Sequence, residues 1–501
     1  MQRRELVRGA AALAAARFLA APRAAGAAPR PATDPFRLGV ASGEPAADGF
    51  VLWTRVEGLI EDAAIGYEIA EDDAFRRIVR TGRTRAVAGR GGAVHLEVGG
   101  LSPGRDYFYR FHLGGEVSRA GRTRTIPAAP QRLRLALTSC QHWEHGWFSG
   151  YRDMVAADPD AVIQVGDYIY ERSFGAAPKV RTFDALDPVS LDDYRRRHAL
   201  YRTDPDLATA HAALPFVVTF DDHEVENDYA GAVGGDFGDP ARFLRRRAAA
   251  YQAYFEHMPL RPSAFLPDGG LRLYRRVEWP GLATLHVLDT RQHRTPQACP
   301  EPGAPRSRVL TACPAALDPA ASLLGPAQER WLTRGLTREQ APWSLIAQQT
   351  LFARLSLPQG EDARYSDIWD GYEASRDRLL AQLRHPSVRS PVVLSGDVHS
   401  FWLNDVRADS RRSGEAPLAA EVVTSCLASR NGPEALFAPA RALNPHVRFL
   451  DNAHSGYVRL DLRPGRLEIE LRAVHDLADP DSGCRTVASA AVVAGRRGVE
   501  I

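Results

Sequence analysis

Four stretches of the sequence carry side chains that are suited to metal chemistry, and each follows a run of apolar residues. They are Ser139-Cys140-Gln141-His142, Gly166-Asp167-Tyr168-Ile169-Tyr170, Asp221-Asp222-His223-Glu224 and Gly396-Asp397-Val398-His399. Alone, each would be read more simply as a turn, a buried cysteine or a solvated acidic loop. In an open α/β sheet, however, ligands bind beyond the carboxyl ends of the strands. Because this kind of ending recurs after successive strands, the sequence predicts one shared site.

The residue types and their spacing indicate which metals such a site would hold. Asp167 and Tyr170 are three apart across a turn, so the carboxylate and the phenol could approach one ion together. Thiolate, phenolate, carboxylate and imidazole ligands favour a trivalent or borderline transition metal. The oxygen ligands of Asp222, Asn227 and Asp397 suit a hard cation such as calcium or magnesium. The sequence therefore predicts two metals of different character.

Apolar strands alternate with helical stretches over the part of the chain that carries these motifs. Predicted strands lie at 133–138, 161–165, 216–220, 282–288, 343–347 and 391–395, and predicted helices at 147–157, 192–201, 241–256, 326–337 and 375–384. This alternation is typical of a layered α/β domain, which we place at residues 131–478.

The preceding residues, 34–127, follow another pattern. Short alternating segments are separated by glycine and proline, and one of them, residues 106–111, comes directly after the turn Leu101-Ser102-Pro103-Gly104. This is typical of a fibronectin- or immunoglobulin-like β-sandwich, in which a tyrosine of the strand after such a turn closes a corner. The segment 126–130 predicts a linker to the α/β domain.

Residues 1–27 have the features of a twin-arginine export signal. Arg3-Arg4 precede an Ala/Leu-rich stretch and a small-residue cleavage site at 25–27. Arg17 and Pro22 interrupt the stretch, so it is shorter than the ~20 apolar residues that a membrane span needs. Removal of the signal takes away five arginines and one glutamate, which changes the net charge from +2 to −2. The mature chain then lacks electrostatic support for tight nucleic-acid binding.

Lysine and cysteine usage narrows the chemistry further. Lys179 is the only lysine, which excludes a phosphate-binding loop ending in Gly-Lys-Ser/Thr and disfavours Schiff-base chemistry. Five cysteines in an exported chain leave at least one unpaired. Cys299 and Cys313 bracket a proline-rich loop and are candidate disulfide partners, whereas Cys426 and Cys484 could pair or stay free.

Taken together, the motifs resemble those of the PhoD-type alkaline phosphatases, a family within the calcineurin-like metallophosphoesterase superfamily. The matching stretches are Gly39-Val40-Ala41-Ser42-Gly43-Glu44-Pro45 with Leu52-Trp53-Thr54-Arg55, Ser139-Cys140-Gln141, Gly166-Asp167-Tyr168-Ile169-Tyr170-Glu171, Asp221-Asp222-His223-Glu224-Val225-Glu226-Asn227, Leu288-Asp289-Thr290-Arg291-Gln292, Trp369-Asp370-Gly371-Tyr372 and Leu394-Ser395-Gly396-Asp397-Val398-His399. They cover nearly the whole chain after the signal. Two positions depart from the family's pattern: Asp228 stands where asparagine is common, and His293 where tyrosine is common.

The resemblance implies a layered αββα sandwich behind the N-terminal β-sandwich, and a centre of iron(III) and calcium. The iron ligands it implies are Cys140, Asp167, Tyr170 and His399. Asp167 would bridge to the calcium side, where Asp222 and Asp397 would bind, and Asn227 and Gln349 are further candidate ligands. His223 matches the histidine that follows the metal-binding acid in the superfamily, which implies that it is catalytic.

The function that this resemblance implies is hydrolysis of phosphate esters. We expect an exported phosphodiesterase and phosphomonoesterase that is periplasmic or secreted and uses a hydroxide held by the metals. Its partner during export would be the twin-arginine translocation machinery. A secreted nuclease or a phospholipase D-like phosphodiesterase is the alternative within enzymes. Outside enzymes, a wall-binding protein with an inactive phosphoesterase fold is the alternative, and it predicts missing ligands. No specific nucleic acid and no transmembrane segment are expected.

Overall fold

The computed structural model describes residues 34–174, 179–236, 238–338, 340–409, 414–432 and 434–501. The predicted export signal at residues 1–27 lies outside the described residues. Within the described ranges, no helix is both long and apolar enough to cross a membrane.

Eight short strands between residues 40 and 124 form two facing sheets. They are β1 (Val40–Gly43), β2 (Phe50–Arg55), β3 (Ala63–Ala70), β4 (Ile78–Ala86), β5 (Ala93–Val98), β6 (Asp106–Leu113), β7 (Glu116–Val117) and β8 (Gly121–Arg124). Strands β1, β2 and β5 pair in one sheet, and the other five form the second. Side chains of both sheets, such as Phe50 and Ile69, share one core, which confirms the predicted β-sandwich. Tyr107 Oη accepts a hydrogen bond from Ser102 N at 3.0 Å and closes the corner.

The β-sandwich shares a sheet with the rest of the chain. Strand β1 pairs in parallel with β11 (Pro215–Val218) at Ser42 and Gly43. Trp53 of β2 is fully buried, and its Nε1 donates to Glu256 O at 3.0 Å. The linker predicted at residues 126–130 therefore divides the sequence, but the sheet runs through both parts.

Beyond residue 130 the chain builds two large sheets. The first continues the sheet of β1, β2 and β5 and adds β9 (Leu133–Gln141), β10 (Ala161–Gln164), β11, β20 (Cys426–Ala428), β22 (Gly456–Arg463), β23 (Arg466–Val474) and β24 (Cys484–Val493). The second contains β12 (Arg275–Trp279), β13 (Ala283–Val287), β15 (Trp343–Ala347), β17 (Pro391–Ser395), β18 (Phe401–Val406), β19 (Ala419–Val423) and β21 (Val447–Asp451). A separate pair is formed by β14 (Val309–Leu310) and β16 (Arg364–Tyr365).

Helices cover the outer faces of the two sheets. They are α1 (Gly150–Ala157), α2 (Leu191–Arg202), α3 (Pro205–Ala213), α4 (Pro240–His257), α5 (Gly325–Arg338), α6 (Glu373–Leu383), α7 (Glu434–Phe437) and α8 (Ala440–Leu443). Successive residues of a strand point to opposite faces: in β17, Val392 and Leu394 enter the core between the sheets, whereas Val393 packs against α5 and α6. Helices α1 to α4 pack on the first sheet. These layers confirm the predicted αββα sandwich.

All six strands and all five helices predicted beyond residue 130 are present, with ends that shift by at most three residues. Helix α3 was not predicted, although its start is marked by Asp204, whose side chain accepts from the backbone nitrogens of Asp206 and Leu207, and by Pro205 at the first helical position. Strand β24 pairs with β23 along its length and extends the first sheet beyond residue 478, where the predicted domain ends.

The cysteines follow the sequence interpretation. Cys299 and Cys313 form a disulfide with a Cα–Cα distance of 6.3 Å. Cys426 and Cys484 do not pair with each other and remain free, as does Cys140.

Candidate metal centre and active site

The predicted motifs meet at one edge of the two sheets. Cys140 is the second-to-last residue of β9, and Asp167 and Asp222 follow β10 and β11 in the same sheet. Asp397 follows β17 in the facing sheet. The candidate ligand atoms of Cys140, Asp167 and His399 lie within 4.8 Å of one another. The structure therefore brings the strand ends together, as the sequence predicts.

Four of these residues have a left-handed backbone, which residues other than glycine rarely adopt. The φ angles are 57° at Cys140, 54° at Asp167, 67° at Asp397 and 54° at His399. Such a conformation costs on the order of 1 kcal/mol or more per residue and persists only where the surrounding structure fixes it. Its recurrence at neighbouring strand ends indicates that the turns are held to aim these side chains at one place.

Gly166 and Glu224 hold the segments that follow β10 and β11 close together. Gly166 has a φ of 115°, and a Cβ built on it would lie 2.5 Å from Cβ of Asp221, so only glycine fits. The carboxylate of Glu224 accepts hydrogen bonds from the backbone nitrogens of Asp167 at 3.1 Å, Tyr168 at 2.5 Å and Asp221 at 2.9 Å. These contacts hold the two acid-bearing turns side by side.

The first group of candidate ligands combines sulfur, phenol, carboxylate and imidazole. Tyr170 Oη lies 3.0 Å from Asp167 Oδ2 and 3.0 Å from His399 Nε2. His399 Nδ1 donates to the backbone carbonyl of Arg430 at 2.6 Å, which leaves the lone pair on Nε2 available to a metal. Asp167 Oδ1 is buried and has no hydrogen-bond partner among the described residues. A cation fits this arrangement because it would satisfy that oxygen and the imidazole nitrogen together.

The electrostatics of the first group also call for a cation. Burial, reinforced by Asp167, raises the pKa of the Cys140 thiol and of the Tyr170 phenol well above their ordinary values. The protein alone therefore favours the neutral forms of both groups. A bound metal ion is what would hold them as thiolate and phenolate.

The second group of candidate ligands is rich in carboxylates and shares Asp167 with the first. Ligand oxygens of Asp167, Asp221 and Asp397 lie within 4.8 Å of one another, as do ligand atoms of Asp167, Asp222 and His223. Burial raises the pKa of Asp397 well above its usual range, and Asp221 adds to this effect. A hard cation suits such a set of oxygens. Asp167 is the residue placed to bridge the two groups.

Asn227 and Gln349, the remaining candidate ligands, are placed differently. Asn227 lines the cavity beside the second group, and its backbone nitrogen donates to Glu171 Oε1 at 3.0 Å; its role as a ligand stays a prediction. The backbone carbonyl of Gln349 accepts a hydrogen bond from Gly396 N at 2.7 Å, next to Asp397. In the side chain of Gln349, Oε1 accepts from Thr290 Oγ1 at 2.8 Å, and Nε2 donates to Thr219 Oγ1 at 2.9 Å. Both ends of its amide are thus engaged with neighbouring loops, and the role of Gln349 as a ligand stays a prediction.

Sequence reasoning missed a buried ion network beneath the second group. The side chain of Arg291 is fully buried, contacts Asp221, and lies 3.4 Å from Asp222 and 2.8 Å from Asp367. The carboxylates of Asp367, Asp222 and Asp228 in turn form a cluster. Burial opposes ionisation of Asp367, but Arg291 outweighs it and lowers the pKa of that carboxyl. Arg291 lies inside one of the recognised motifs, and Asp367 lies two residues before another.

His223 stands between a carboxylate and the cavity. Its Nδ1 lies 2.7 Å from Glu171 Oε2, and its ring stacks on Tyr170 at a centroid distance of 4.2 Å. Burial opposes protonation, but Glu171 and Asp222 outweigh it and raise the pKa of His223 well above its usual value. Conversely, burial opposes ionisation of Glu171, but His223 outweighs it and lowers that pKa to about 2. Glu171 therefore favours the protonated form of the His223 imidazole.

A cavity of about 270 Å³ opens over these groups. Tyr170, His223, Asn227, Asp397 and His399 form its polar side. An apolar wall is formed by Phe174, Leu351, Leu355, Tyr365, Ile368, Val398 and Phe437. A further polar wall is formed by His145, Ser429, Arg430, Asn431 and Gly432. Four candidate ligands, Tyr170, Asn227, Asp397 and His399, thus face one space together with His223, and this space is large enough to admit a small substrate.

Comparisons with known proteins identify the family of this chain. The model of the PhoD-like phosphatase family matches residues 135–471, and the model of the N-terminal domain of PhoD-like phosphatases matches residues 21–127. Alkaline phosphatase D of Bacillus subtilis (strain 168) is 40% identical over an alignment of 484 residues, and the match covers 92% of this chain and 82% of that protein.

Solved structures give the same result. A structure of PhoD superimposes with a TM-score of 0.88 at 36% identity and covers 94% of this chain and 93% of its own. The purple acid phosphatase PPD1 from yellow lupin (Lupinus luteus) seeds superimposes with a TM-score of 0.59 at 13% identity, over 92% of this chain and 74% of its own, which shows a shared fold alone. The protein is a phosphoric ester hydrolase, and the chain belongs to the PhoD-like phosphatase family, as its motifs predict.

Proposed function

We propose that this phosphatase is an exported, metal-dependent phosphodiesterase and phosphomonoesterase whose cofactors are iron(III) and calcium. The observation that carries the proposal is the position of Asp167, which belongs both to the group with Cys140 and His399 and to the carboxylate groups with Asp222 and Asp397. Sulfur and phenol on one side of it and oxygen on the other suit two metals of different character. Export is supported by Arg3-Arg4 and the apolar stretch behind them.

The chain's own residues divide the work of holding the cofactors. Cys140, Tyr170 and His399 would hold iron, Asp222 and Asp397 would hold calcium, and Asp167 would bind both. When bound, the two cations supply Lewis acidity that lowers the pKa of a water molecule and neutralises charge on the phosphoryl oxygens. A Cys-Tyr-His set with a shared carboxylate fits this division because soft and hard donors are kept apart.

Other residues position the ligands and move the proton. Arg291 lies against Asp221, Asp222 and Asp367 and fixes the orientation of their carboxylates. His223 faces the cavity with its Nε2, for which no hydrogen bond is found within the described residues, while Glu171 holds the ring through Nδ1. The proton on Nε2 is therefore available to the oxygen of the departing alcohol.

The proposed function is tested by measuring activity and metal content on the same purified sample. The substrate panel contains phosphomonoesters, alkyl and nitrophenyl phosphodiesters, phospholipids and DNA. We expect turnover of small diesters and monoesters with iron and calcium bound. Preferential, salt-sensitive cleavage of DNA would instead indicate a nuclease, and preference for phospholipids would indicate a phospholipase D-like enzyme. Absence of turnover on every ester with both metals present would contradict the proposal.

The Tyr170→Phe variant tests the iron assignment. Phenolate and thiolate ligands transfer charge to iron(III), so we expect the purified protein to be coloured and the variant to show a shifted or lost visible band. Ser173→Ala, which removes a hydroxyl that contacts Glu144 outside the ligand groups, serves as the control and should keep the colour. An active wild-type protein that contains no iron and absorbs no visible light would rule out the assignment.

Removal of calcium tests the oxygen-rich side of the site. Oxygen-ligated cations exchange readily, so we expect a calcium-selective chelator to abolish turnover and added calcium to restore it. Asp222→Ala should lose this restoration, because its carboxylate belongs to the second group. Activity that persists in excess chelator, with calcium absent by elemental analysis, would show that the second cation is a different one.

A further inference from the structure

The segment Ser429–Gly432 is held rigidly against the metal-ligand groups. The Arg430 carbonyl accepts a hydrogen bond from His399 Nδ1 at 2.6 Å. Asn431 Nδ2 donates to His399 O at 3.3 Å and to His454 O at 3.2 Å. Strand β20, which leads into the segment, pairs with β9 next to Cys140. The main chain at Arg430 is therefore fixed relative to His399.

The side chain of Arg430 is free to meet a ligand. It is exposed and lines the cavity, and within the described ranges no ion pair or hydrogen bond of its guanidinium is found. His145, beside it on the cavity wall, is neutral at neutral pH, because burial lowers its pKa to about 4 and Arg430 acts in the same direction. Among the described residues of the wall, Arg430 is the only arginine or lysine.

His399 lies between the metal-ligand groups and the main chain of Arg430. His399 turns Nε2 towards Tyr170 and Nδ1 towards Arg430, so one imidazole ring lies between the metal groups and the Arg430 main chain. The charge of the reacting phosphoryl group is met by the proposed cations and by His223. The charge of Arg430 is additional to these, and the residue lines the same cavity.

We propose that Arg430 is a specificity residue that binds a second anionic group, a carboxylate or a phosphate, carried by the substrate beyond its reacting phosphorus. The inference rests on the proposed phosphodiesterase function. Arginine pairs with either oxyanion through two parallel hydrogen bonds. The neighbouring walls at Val398 and Phe437 are apolar, whereas Ser429 and Asn431 place polar groups beside Arg430.

Three 4-nitrophenyl phosphodiesters that differ only at the end of the second alcohol test the proposal. One ends in a carboxylate, one in a phosphate and one in a neutral primary amide. For the wild-type enzyme we expect a lower KM for the two anionic esters, and an advantage that shrinks as salt rises. Arg430→Gln should raise KM for those two by about fivefold, the size of a partly exposed ion pair, and leave kcat and the amide ester unchanged. The two anionic arms show which oxyanion is preferred.

Controls separate this proposal from the function on which it rests. Arg430→Lys should restore part of the preference, and Arg330→Gln, which removes an exposed arginine that does not line the cavity, should change nothing. Binding of the three corresponding phosphonates to the metal-loaded protein, measured by calorimetry, reads the same preference without turnover. Equal affinity of wild type for all three phosphonates, or an equal loss on all three in Arg430→Gln, would overturn the proposal even if the esters are hydrolysed.

Discussion

Asp167→Asn is expected to abolish catalysis, with a fall in kcat/KM of at least about a thousandfold. Asp167 is the carboxylate shared by the two groups of candidate ligands, so the variant weakens both sites at once. Metal ions contribute several kcal/mol of transition-state stabilisation, and each ~1.4 kcal/mol corresponds to a factor of ten in rate. Elemental analysis should show that the variant holds less of both metals.

The pH dependence of the Tm of the metal-free protein tests independently whether Asp167 is a buried carboxylate with a raised pKa. Burial, with Asp222 adding to it, raises the pKa of Asp167 well above its usual range. The folded state therefore favours the protonated Asp167 carboxyl. The stability that this preference gives is fully present below the pKa of the unfolded chain, about 4, and is lost as the pH rises through the pKa of the folded state. In Asp167→Asn the group does not titrate, so its metal-free Tm should fall less as the pH rises.

The exposed Asp73→Asn is the matched control for this experiment. It removes one carboxylate without touching the site and should leave metal content, activity and the pH dependence of Tm as in wild type. If Asp167→Asn retains both metals at full stoichiometry, the bridging position of Asp167 is refuted. A rate loss without any metal loss would assign it a different role.

The parts of this fold that the sequence predicts are those in which local pattern and environment agree. Residues 343–347 and 391–395 are short apolar runs, and the structure has strands with the same bounds. Both lie inside the second sheet between parallel neighbours, where burial on two faces demands a continuous apolar run. The ends of such strands carry the site, so Gly166-Asp167 and Gly396-Asp397 were visible as turns with an acid.

The parts that could not be predicted depend on pairings between distant segments. Strand β1 pairs with β11. The alternation of residues 40–43 does not show whether this strand pairs only within the β-sandwich or also extends another sheet. Strand β24 reads as a half-exposed segment with no motif, yet it completes the first sheet next to β23. Register and partner are set by the whole fold, which a local pattern does not encode.

The site shows the same limit at single residues. Gln349 follows β15 as a metal ligand would, but its amide is engaged by Thr219 and Thr290. Asp367, which lies outside every strand end that was considered, reaches the site through Arg291. A residue's type and its distance from a strand indicate that it can be a ligand. Only the contacts of its side chain show whether its polar atoms are free.

His223→Ala is expected to slow the hydrolysis of alkyl phosphodiesters by ~10²–10⁴-fold, the usual contribution of a general acid. An alkoxide is strongly basic and depends on receiving a proton as it departs, whereas a nitrophenolate departs with little help. The loss on nitrophenyl esters should therefore be clearly smaller, with metal content unchanged. The structure supports this role because Glu171 lies 2.7 Å from Nδ1 and favours the protonated ring, so that a proton is held on the Nε2 that faces the cavity.

Glu171→Gln tests the same assignment from the other side of the ring. The amide keeps a hydrogen-bond partner for His223 but removes the charge that raises its pKa, so we expect a smaller loss on alkyl esters than in His223→Ala, again with nitrophenyl esters less affected. The exposed His385→Ala is the control. The competing explanation is that His223 only orients Asp222, since ligand atoms of the two residues lie close together. This explanation predicts depleted metal and an equal loss on both ester types, because a weakened metal site slows every substrate alike. Comparison of kcat/KM for both esters with metal stoichiometry therefore decides between a proton donor and a support for the ligand.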